Sequence, residues 1–210
     1  MSIKYKKYWD KFYKNFKIEK ESKFAKFVYY KLRKVNKKIK KINMLDVGCG
    51  NGRDTIFFIK KGINATGLDQ SNVIYSNQKI FKKNFVRKNI CKKNFILKKK
   101  FDIIYARFFI HAIKYSEQKN FMKNLKFIIK KDSLLFFEFR TTKDPLMKKG
   151  KKLSENERFD SHYRRFIDVA KFRKELKEMG YKILFLKSDN NFAIFLKQRP
   201  NICRIIFKKK

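Results

Sequence analysis

The chain is 210 residues long, which suits a single domain with a substantial core, and 43% of it is hydrophobic, which excludes general disorder. It carries 57 basic residues against 18 acidic ones, a formal net charge of +39. That excess is mostly lysine, spread along the whole length with many Asn, Ile, Phe and Tyr residues, as an AT-rich coding bias would produce. Readers of nucleic acid favour arginine forks at bases, so scattered lysine argues against a nucleic-acid partner while still attracting small anions.

In chain order, Tyr5, Tyr8, Trp9, Phe12, Tyr13 and Phe16 place an aromatic stripe on one face of a helix over Lys4–Phe16. Glu21–Val35 reads as a second helix, so residues 1–40 form a helical cap. Ile42–Val47 is the first core strand, and a helix-compatible stretch, Arg53–Lys61, follows a glycine-rich turn. Ile63–Leu68 is the second strand, Val73–Ile80 a helix, Asn84–Arg87 a short third strand and Phe101–Tyr105 a fourth. A helix over Glu117–Ile129 and a fifth strand over Leu134–Phe139 come next. Strand and helix alternate and several strands are continuously apolar, which is the pattern of a parallel sheet covered on both faces. Thr141–Arg164 is the one long irregular stretch, and residues 141–165 are read as an inserted substrate loop. Ile167–Met179 is a helix stopped by Gly180. Tyr181–Leu186 and Phe192–Leu196 then lie too close in sequence for a parallel crossover, so they predict a hairpin and one antiparallel strand. The expected fold is α/β: a Rossmann-like, doubly wound sheet of about seven strands in one domain spanning residues 1–210.

No run of about 18 apolar residues predicts a membrane span, and the first residues lack the apolar centre of a signal peptide. Cys49, Cys91 and Cys203 stand singly, without the spacing of a metal site or a disulfide framework. A cytoplasmic protein with no metal is expected; oligomeric state is left open.

The run Leu45-Asp46-Val47-Gly48-Cys49-Gly50-Asn51-Gly52 carries the most information. Three alternate glycines end a strand and open a helix, and Asp69 ends the next apolar stretch, where a ribose-binding carboxylate would sit. The spacing is G-x-G-x-G, not the G-x-G-x-x-G of a dinucleotide site. These residues closely resemble the first motif of the class I S-adenosylmethionine-dependent methyltransferases. The resemblance implies S-adenosyl-L-methionine as cofactor. It implies that Gly48, Cys49 and Gly50 lie along the cofactor, that Asp69 with Gln70 beside it receives the ribose hydroxyls, and that Asp46 orders the turn and contacts the methionyl amine. Asn89 stands where the family often has an acid near the adenine, and Ile90 and Leu68 would flank the base. Tyr5 and Trp9 can close the opening with aromatic rings beside the sulfonium, or can simply dock a helix on the core.

In the same resemblance the segment Tyr105-Ala106-Arg107-Phe108 faces the transferring methyl group, with Ala106 against the cofactor. It lacks the Asn/Asp-Pro-Pro-aromatic sequence common in nucleic-acid amine methyltransferases. Arg107 and His111 share a helix face if a helix begins by residue 107, Arg107 to bind an anion and His111 to accept a proton, although a lone histidine there is equally a core residue. Glu138 and Arg140 leave the fifth strand on one side, and His162, Tyr163, Arg164 and Arg165 end the long loop. Arginines gathered in a lysine-biased chain suggest substrate binding by Arg107, Arg140, His162, Arg164 and Arg165, with His111, Tyr163 or Glu138 as base; a solvated basic turn is the bland alternative. The pattern around Thr141 to Ile167 resembles small bacterial methyltransferases associated with surface-glycan modification. The expected activity is methyl transfer to O or N of a small anionic metabolite, with RNA methylation and a non-catalytic binding module as alternatives.

Overall fold

A computed structural model describes residues 8–9, 11–12, 20–35, 39–71, 81–194 and 198–210. Tyr5, most of the helix expected over Lys4–Phe16, the helix expected over Val73–Ile80 and residues 195–196 of the last expected strand lie outside the described residues.

The main sheet is built from β1 (Asn43–Val47), β2 (Asn64–Asp69), β3 (Phe85–Arg87), β4 (Phe101–Arg107), β5 (Ile129–Arg140), β9 (Tyr181–Asp189) and β10 (Ile202–Lys209). Its order is β3-β2-β1-β4-β5-β10-β9. Neighbours run parallel from β3 to β5, and β10 is antiparallel to both β5 and β9. One strand therefore opposes the rest, as a mostly parallel Rossmann-like sheet with an antiparallel C-terminal strand requires.

Alternation along the strands divides the core into two layers. Ile104 and Ala106 of β4, Leu135, Phe137 and Phe139 of β5, and Cys203, Ile205 and Phe207 of β10 face one side. There they pack on helices α3 (Tyr115–Ile128) and α4 (Val169–Glu178) through Phe121, Leu125, Phe172 and Leu176. Ile103 and Tyr105 of β4, Phe136 and Ile206 face the other side, under Phe24, Val28 and Leu32 of α1 (Lys23–Val35) and Phe58 of α2 (Arg53–Lys60). On that second face the same alternation puts Arg107, Glu138 and Arg204 at the strand ends. They are cross-strand partners, Arg107 opposite Glu138 and Arg204 opposite Glu138. Strand register alone thus sets a carboxylate between two guanidiniums.

The expected strand over Phe192–Leu196 is not the last strand of the sheet. The hairpin partner of β9 is Ile202–Lys209, and Phe192, Ala193 and Ile194 belong to the connection. The apolar character of Phe192 serves a different contact: its ring covers the Arg204 guanidinium at 4.1 Å. The stretch expected to be irregular holds a three-stranded antiparallel sheet, β6 (Lys151–Ser154), β7 (Glu157–Phe159) and β8 (Tyr163–Arg165). Its outer strand β6 is fully exposed, so it shows no apolar alternation in sequence. Arg107 and His111 do not share a helix. Arg107 ends β4, His111 lies in the following turn, and α3 begins only at Tyr115.

Candidate active site

The carboxyl ends of β1, β2, β4 and β5 open onto a cavity of about 600 Å³. Its two ends differ in charge.

The first end is made by the glycine turn and what it packs on. Gly48, Gly50 and Gly52 have φ of 71°, 55° and 78°. A side chain at Gly48 would meet the Phe109 ring at 2.6 Å, and one at Gly52 would run into the Phe85 ring at 2.5 Å. The Gly48 amide donates to the Leu68 carbonyl at 2.8 Å, and the Gly50 amide to Asp69 Oδ2 at 3.0 Å. Ser71 N–H donates to Asp69 Oδ1 at 2.8 Å. The Asp69 carboxylate is thereby oriented by two backbone donors, and each oxygen retains a lone pair.

Asp46 is buried and accepts from Thr55 Oγ1 at 2.6 Å. Burial, reinforced by the nearby Asp54 charge, pushes its carboxyl up to about 8. Asp54, which sequence reasoning passed over, is also buried. It accepts from Ser22 N (2.8 Å), Ser22 Oγ (2.7 Å) and the Tyr105 hydroxyl (2.7 Å), tying the start of α1 to the helix after the glycine turn. Its signal was its place, second residue after the third glycine. Gln70, Asn89, Ile90 and Leu68 complete this end. Asn89 Oδ1 accepts from Cys91 N at 2.8 Å, and Asn124 Nδ2 donates to the Ile90 carbonyl at 2.7 Å, which pins the turn.

The second end is basic. Arg107 Nε donates to Glu138 Oε1 at 3.0 Å and Arg204 Nε to Glu138 Oε2 at 2.8 Å. Burial pushes the Glu138 carboxyl up, and the two guanidiniums pull against it. Arg140 donates to the buried Asp144 at 2.8 Å, and Arg164 faces the exposed Asp160 at 3.7 Å. Phe108, whose φ is 56°, presents its ring between Arg107 (4.2 Å) and Arg140 (5.9 Å). A positive φ is costly for a bulky residue, so its retention at this strand end marks a position held by its surroundings. His111 is buried, and its Nδ1 accepts the Arg140 N–H at 3.2 Å. That bond assigns the neutral tautomer with its proton on Nε2. Burial, with Arg140 close by, holds its basicity well below the ordinary histidine value. His162 stacks on Tyr8 at 4.2 Å and meets Trp9 edge-on at 5.1 Å, so both rings of the N-terminal segment cover the cavity beside the inserted sheet. Burial and the charge of Arg164 bring His162 down to about 3.

Most of the residues singled out from sequence line this one cavity: Trp9, Asp46, Gly48, Cys49, Asp69, Gln70, Asn89, Ile90, Arg107, His111, Glu138, Arg140, His162 and Arg164. Gly50 contributes through its amide. Three do not reach it. Ala106 packs in the apolar layer on the far face of the sheet. Tyr163 and Arg165 flank Arg164 on β8 and point to the opposite face, as strand alternation requires. The Tyr163 hydroxyl donates to Glu157, and Arg165 donates to the Ile110 and Ile113 carbonyls and to Gln118. As a base, His111 is disfavoured by its tautomer, Glu138 by its two ion pairs and Tyr163 by its direction. Besides Asp54, sequence reasoning missed Arg204, which acts on the site through Glu138.

The family described as Methyltransferase domain matches residues 19–185. No curated protein matches this sequence at a significant level. Among solved structures, an S-adenosylmethionine-dependent methyltransferase from Clostridium acetobutylicum ATCC 824 superposes with a TM-score of 0.67 at 16% identity, over 89% of this chain and 91% of the other. The PH0226 protein from Pyrococcus horikoshii OT3 does so at 0.67 and 16%, over 95% and 99%. The glycopeptide N-methyltransferase MtfA in complex with S-adenosyl-L-methionine does so at 0.65 and 12%, over 90% and 95%. The chain belongs to the methyltransferase-domain family, within the class I S-adenosylmethionine-dependent methyltransferases, and is a methyltransferase. Among its described residues no helix is long and apolar enough to cross a membrane.

The first end of the cavity fits such a cofactor. Ser71 Oγ is buried beside Asp69 and has no hydrogen-bond partner among the described residues, as expected where a polar ligand completes the site.

Proposed function

We propose that this enzyme methylates an O or N atom of a small anionic metabolite. One observation carries the reading: the carboxylates Asp46, Asp54 and Asp69 line a single cavity around the glycine turn, with Arg53 beside Asp54, and the guanidiniums Arg107, Arg140 and Arg164 line it around the ends of β4, β5 and the inserted sheet, with Glu138 and Asp160 beside them. A cationic, hydroxylated cofactor suits the first end and an anion the second.

At the cofactor end, the Asp69 oxygens receive the ribose hydroxyls while Gly50 and Ser71 hold the carboxylate still. Asp46 and the Gly48-Cys49-Gly50 backbone take the amino-acid part, where an ammonium group favours the ionised form of Asp46. Leu68 and Ile90 supply apolar surface to the adenine, with Asn89 beside it. Bound S-adenosyl-L-methionine supplies an electrophilic methyl group. At the acceptor end Arg107, Arg140 and Arg164 hold the anion and His111 presents an Nε2–H. Tyr8, Trp9 and Phe12 cover the opening, which favours alignment and exclusion of water as the source of rate. That cover, with the absence of a proline-rich acceptor motif, weighs against RNA as substrate.

A methyl-transfer screen over phosphorylated sugars, carboxylic acids, amino acids, neutral alcohols and a short RNA, read as S-adenosyl-homocysteine release, tests this. Turnover confined to anionic small molecules is expected. Turnover of only neutral compounds or of RNA overturns it.

A further inference from the structure

Resting on the reading of an anionic acceptor, the disposition of ionisable groups at the second end goes further and names the attacking atom. We propose that the acceptor is a carboxylic acid and that the enzyme makes its methyl ester, the ionised carboxylate oxygen attacking without help from a protein base.

An alcohol attacks well only if a base takes its proton, and so does an ammonium ion. Among the described residues at this end, neither the carboxylates nor the histidines offer such a base. His111 Nδ1 is occupied by the Arg140 N–H, so the nitrogen left to face a ligand carries a proton and donates. Each Glu138 oxygen accepts from a guanidinium, and a proton taken by Glu138 would be opposed by the charges of Arg107 and Arg204 at 3.0 and 2.8 Å. Asp160 lies at the exposed rim against Arg164. His162, wedged against Tyr8 and Trp9, is too weak a base to hold an alcohol's proton. A carboxylate needs none of these, because it is already ionised near neutral pH.

The charge count favours a carboxylate over a phosphate dianion. Glu138 is shared by Arg107 and Arg204, Asp144 serves Arg140 and Asp160 serves Arg164. Among the described residues these four guanidiniums against three carboxylates leave one positive charge in surplus, which one carboxylate balances. The planar forks of Arg140 and Arg164 suit a carboxylate held by one oxygen while the other attacks.

The step balances without a proton. A lone pair of the carboxylate oxygen forms the new O–CH₃ bond. The S–CH₃ bond of S-adenosylmethionine breaks, and its electron pair stays on sulfur. The negative charge of the acceptor and the positive charge of the sulfonium vanish together.

The test uses the full chain with S-adenosylmethionine tritiated in the methyl group. The panel holds small mono- and dicarboxylic acids, phosphorylated sugars, amino acids, amines and alcohols. Mild base releases a methyl ester's label as volatile methanol, whereas methyl ethers, N-methyl groups and methyl phosphates survive. Carboxylic acids giving base-labile label are expected, with at least a ten-fold rise in acceptor KM in Arg140→Gln and in Arg164→Gln. Base-stable label on an anionic compound overturns the carboxylate assignment and leaves the anionic-acceptor reading standing. Label only on neutral compounds overturns both. Carboxylic acids that neither accept label nor raise the melting temperature of the protein saturated with S-adenosyl-homocysteine also overturn the assignment.

Discussion

The two ends of the cavity are assembled in different ways. The cofactor end comes almost wholly from residues 46–90, one strand-turn-helix-strand unit and the turn after β3. Its key contacts span little sequence; Gly50 and Asp69 are 19 residues apart. The acceptor end is gathered from β4, β5, the inserted sheet and β10, and Glu138 meets Arg204 across 66 residues. A local unit keeps its chemistry in a readable motif, whereas a site built by strand register can change its arginines one at a time. On the proposed assignment of the ends, substrate choice sits where sequence patterns are weakest.

Substitutions can break that contrast. The largest effect is expected from Glu138→Ala, which removes the buried carboxylate held between Arg107 and Arg204. A loss of about 3–5 kcal/mol is expected for breaking a buried ion pair, measured by chemical denaturation. Glu138→Gln, which keeps the size and removes the charge, should lose less. A cost of Glu138→Ala below about 1 kcal/mol would mean that the triad does not hold the strand ends together. Next comes Asp69→Ala, with a fall of at least about 100-fold in affinity for S-adenosyl-homocysteine, since two charge-assisted hydrogen bonds are lost. Unchanged affinity would remove Asp69 from the ribose. Arg164→Ala should weaken acceptor binding about ten-fold and leave cofactor affinity intact. Equal losses would erase the division between the ends.

The smallest effect is in the pH dependence of stability, and there the two ends oppose each other. Asp46 rises from 3.8 to about 8 on folding, so the folded chain holds a proton that the unfolded chain has released between those values. Its contribution falls as pH rises through that window, and Asp46→Asn should raise the melting temperature most at pH 8–9. His162 drops from 6.5 to about 3, so the unfolded chain takes up a proton that the folded chain refuses. Stability is lost as pH falls below about 6.5, and His162→Gln should lessen that loss. A wild-type melting temperature that responds to neither variant across pH 4–9 would contradict both assignments.

Much of the fold was legible because the physics was local. β1, the glycine turn, Asp69 and the mainly apolar stretches Phe101–Tyr105 of β4 and Leu134–Phe139 of β5 follow from run length and flanking turns, whereas the polar start of β5, Lys130-Lys131-Asp132-Ser133, does not read as strand. The helix read over Ile167–Met179 forms as Val169–Glu178, capped by Asp168, whose side chain accepts from Lys171 N at 3.0 Å. The final strand was misplaced because Phe192–Leu196 looks more strand-like than a run interrupted by Arg204. That arginine is tolerated in a buried strand only because Glu138 sits opposite it, a fact of register and not of composition. Tyr163 and Arg165 were grouped with Arg164 because neighbours in sequence look like neighbours in space. On β8 they face opposite ways, and nothing in the loop's sequence announced a strand there.

The division of the cavity is tested most directly by titrating S-adenosyl-homocysteine calorimetrically into the wild type, Asp69→Ala and Arg164→Ala under one set of conditions. Matching isotherms for the wild type and Arg164→Ala, with no measurable heat for Asp69→Ala, are expected. Tight binding by Asp69→Ala, or its loss in Arg164→Ala, would contradict the placement of the cofactor at the acidic end.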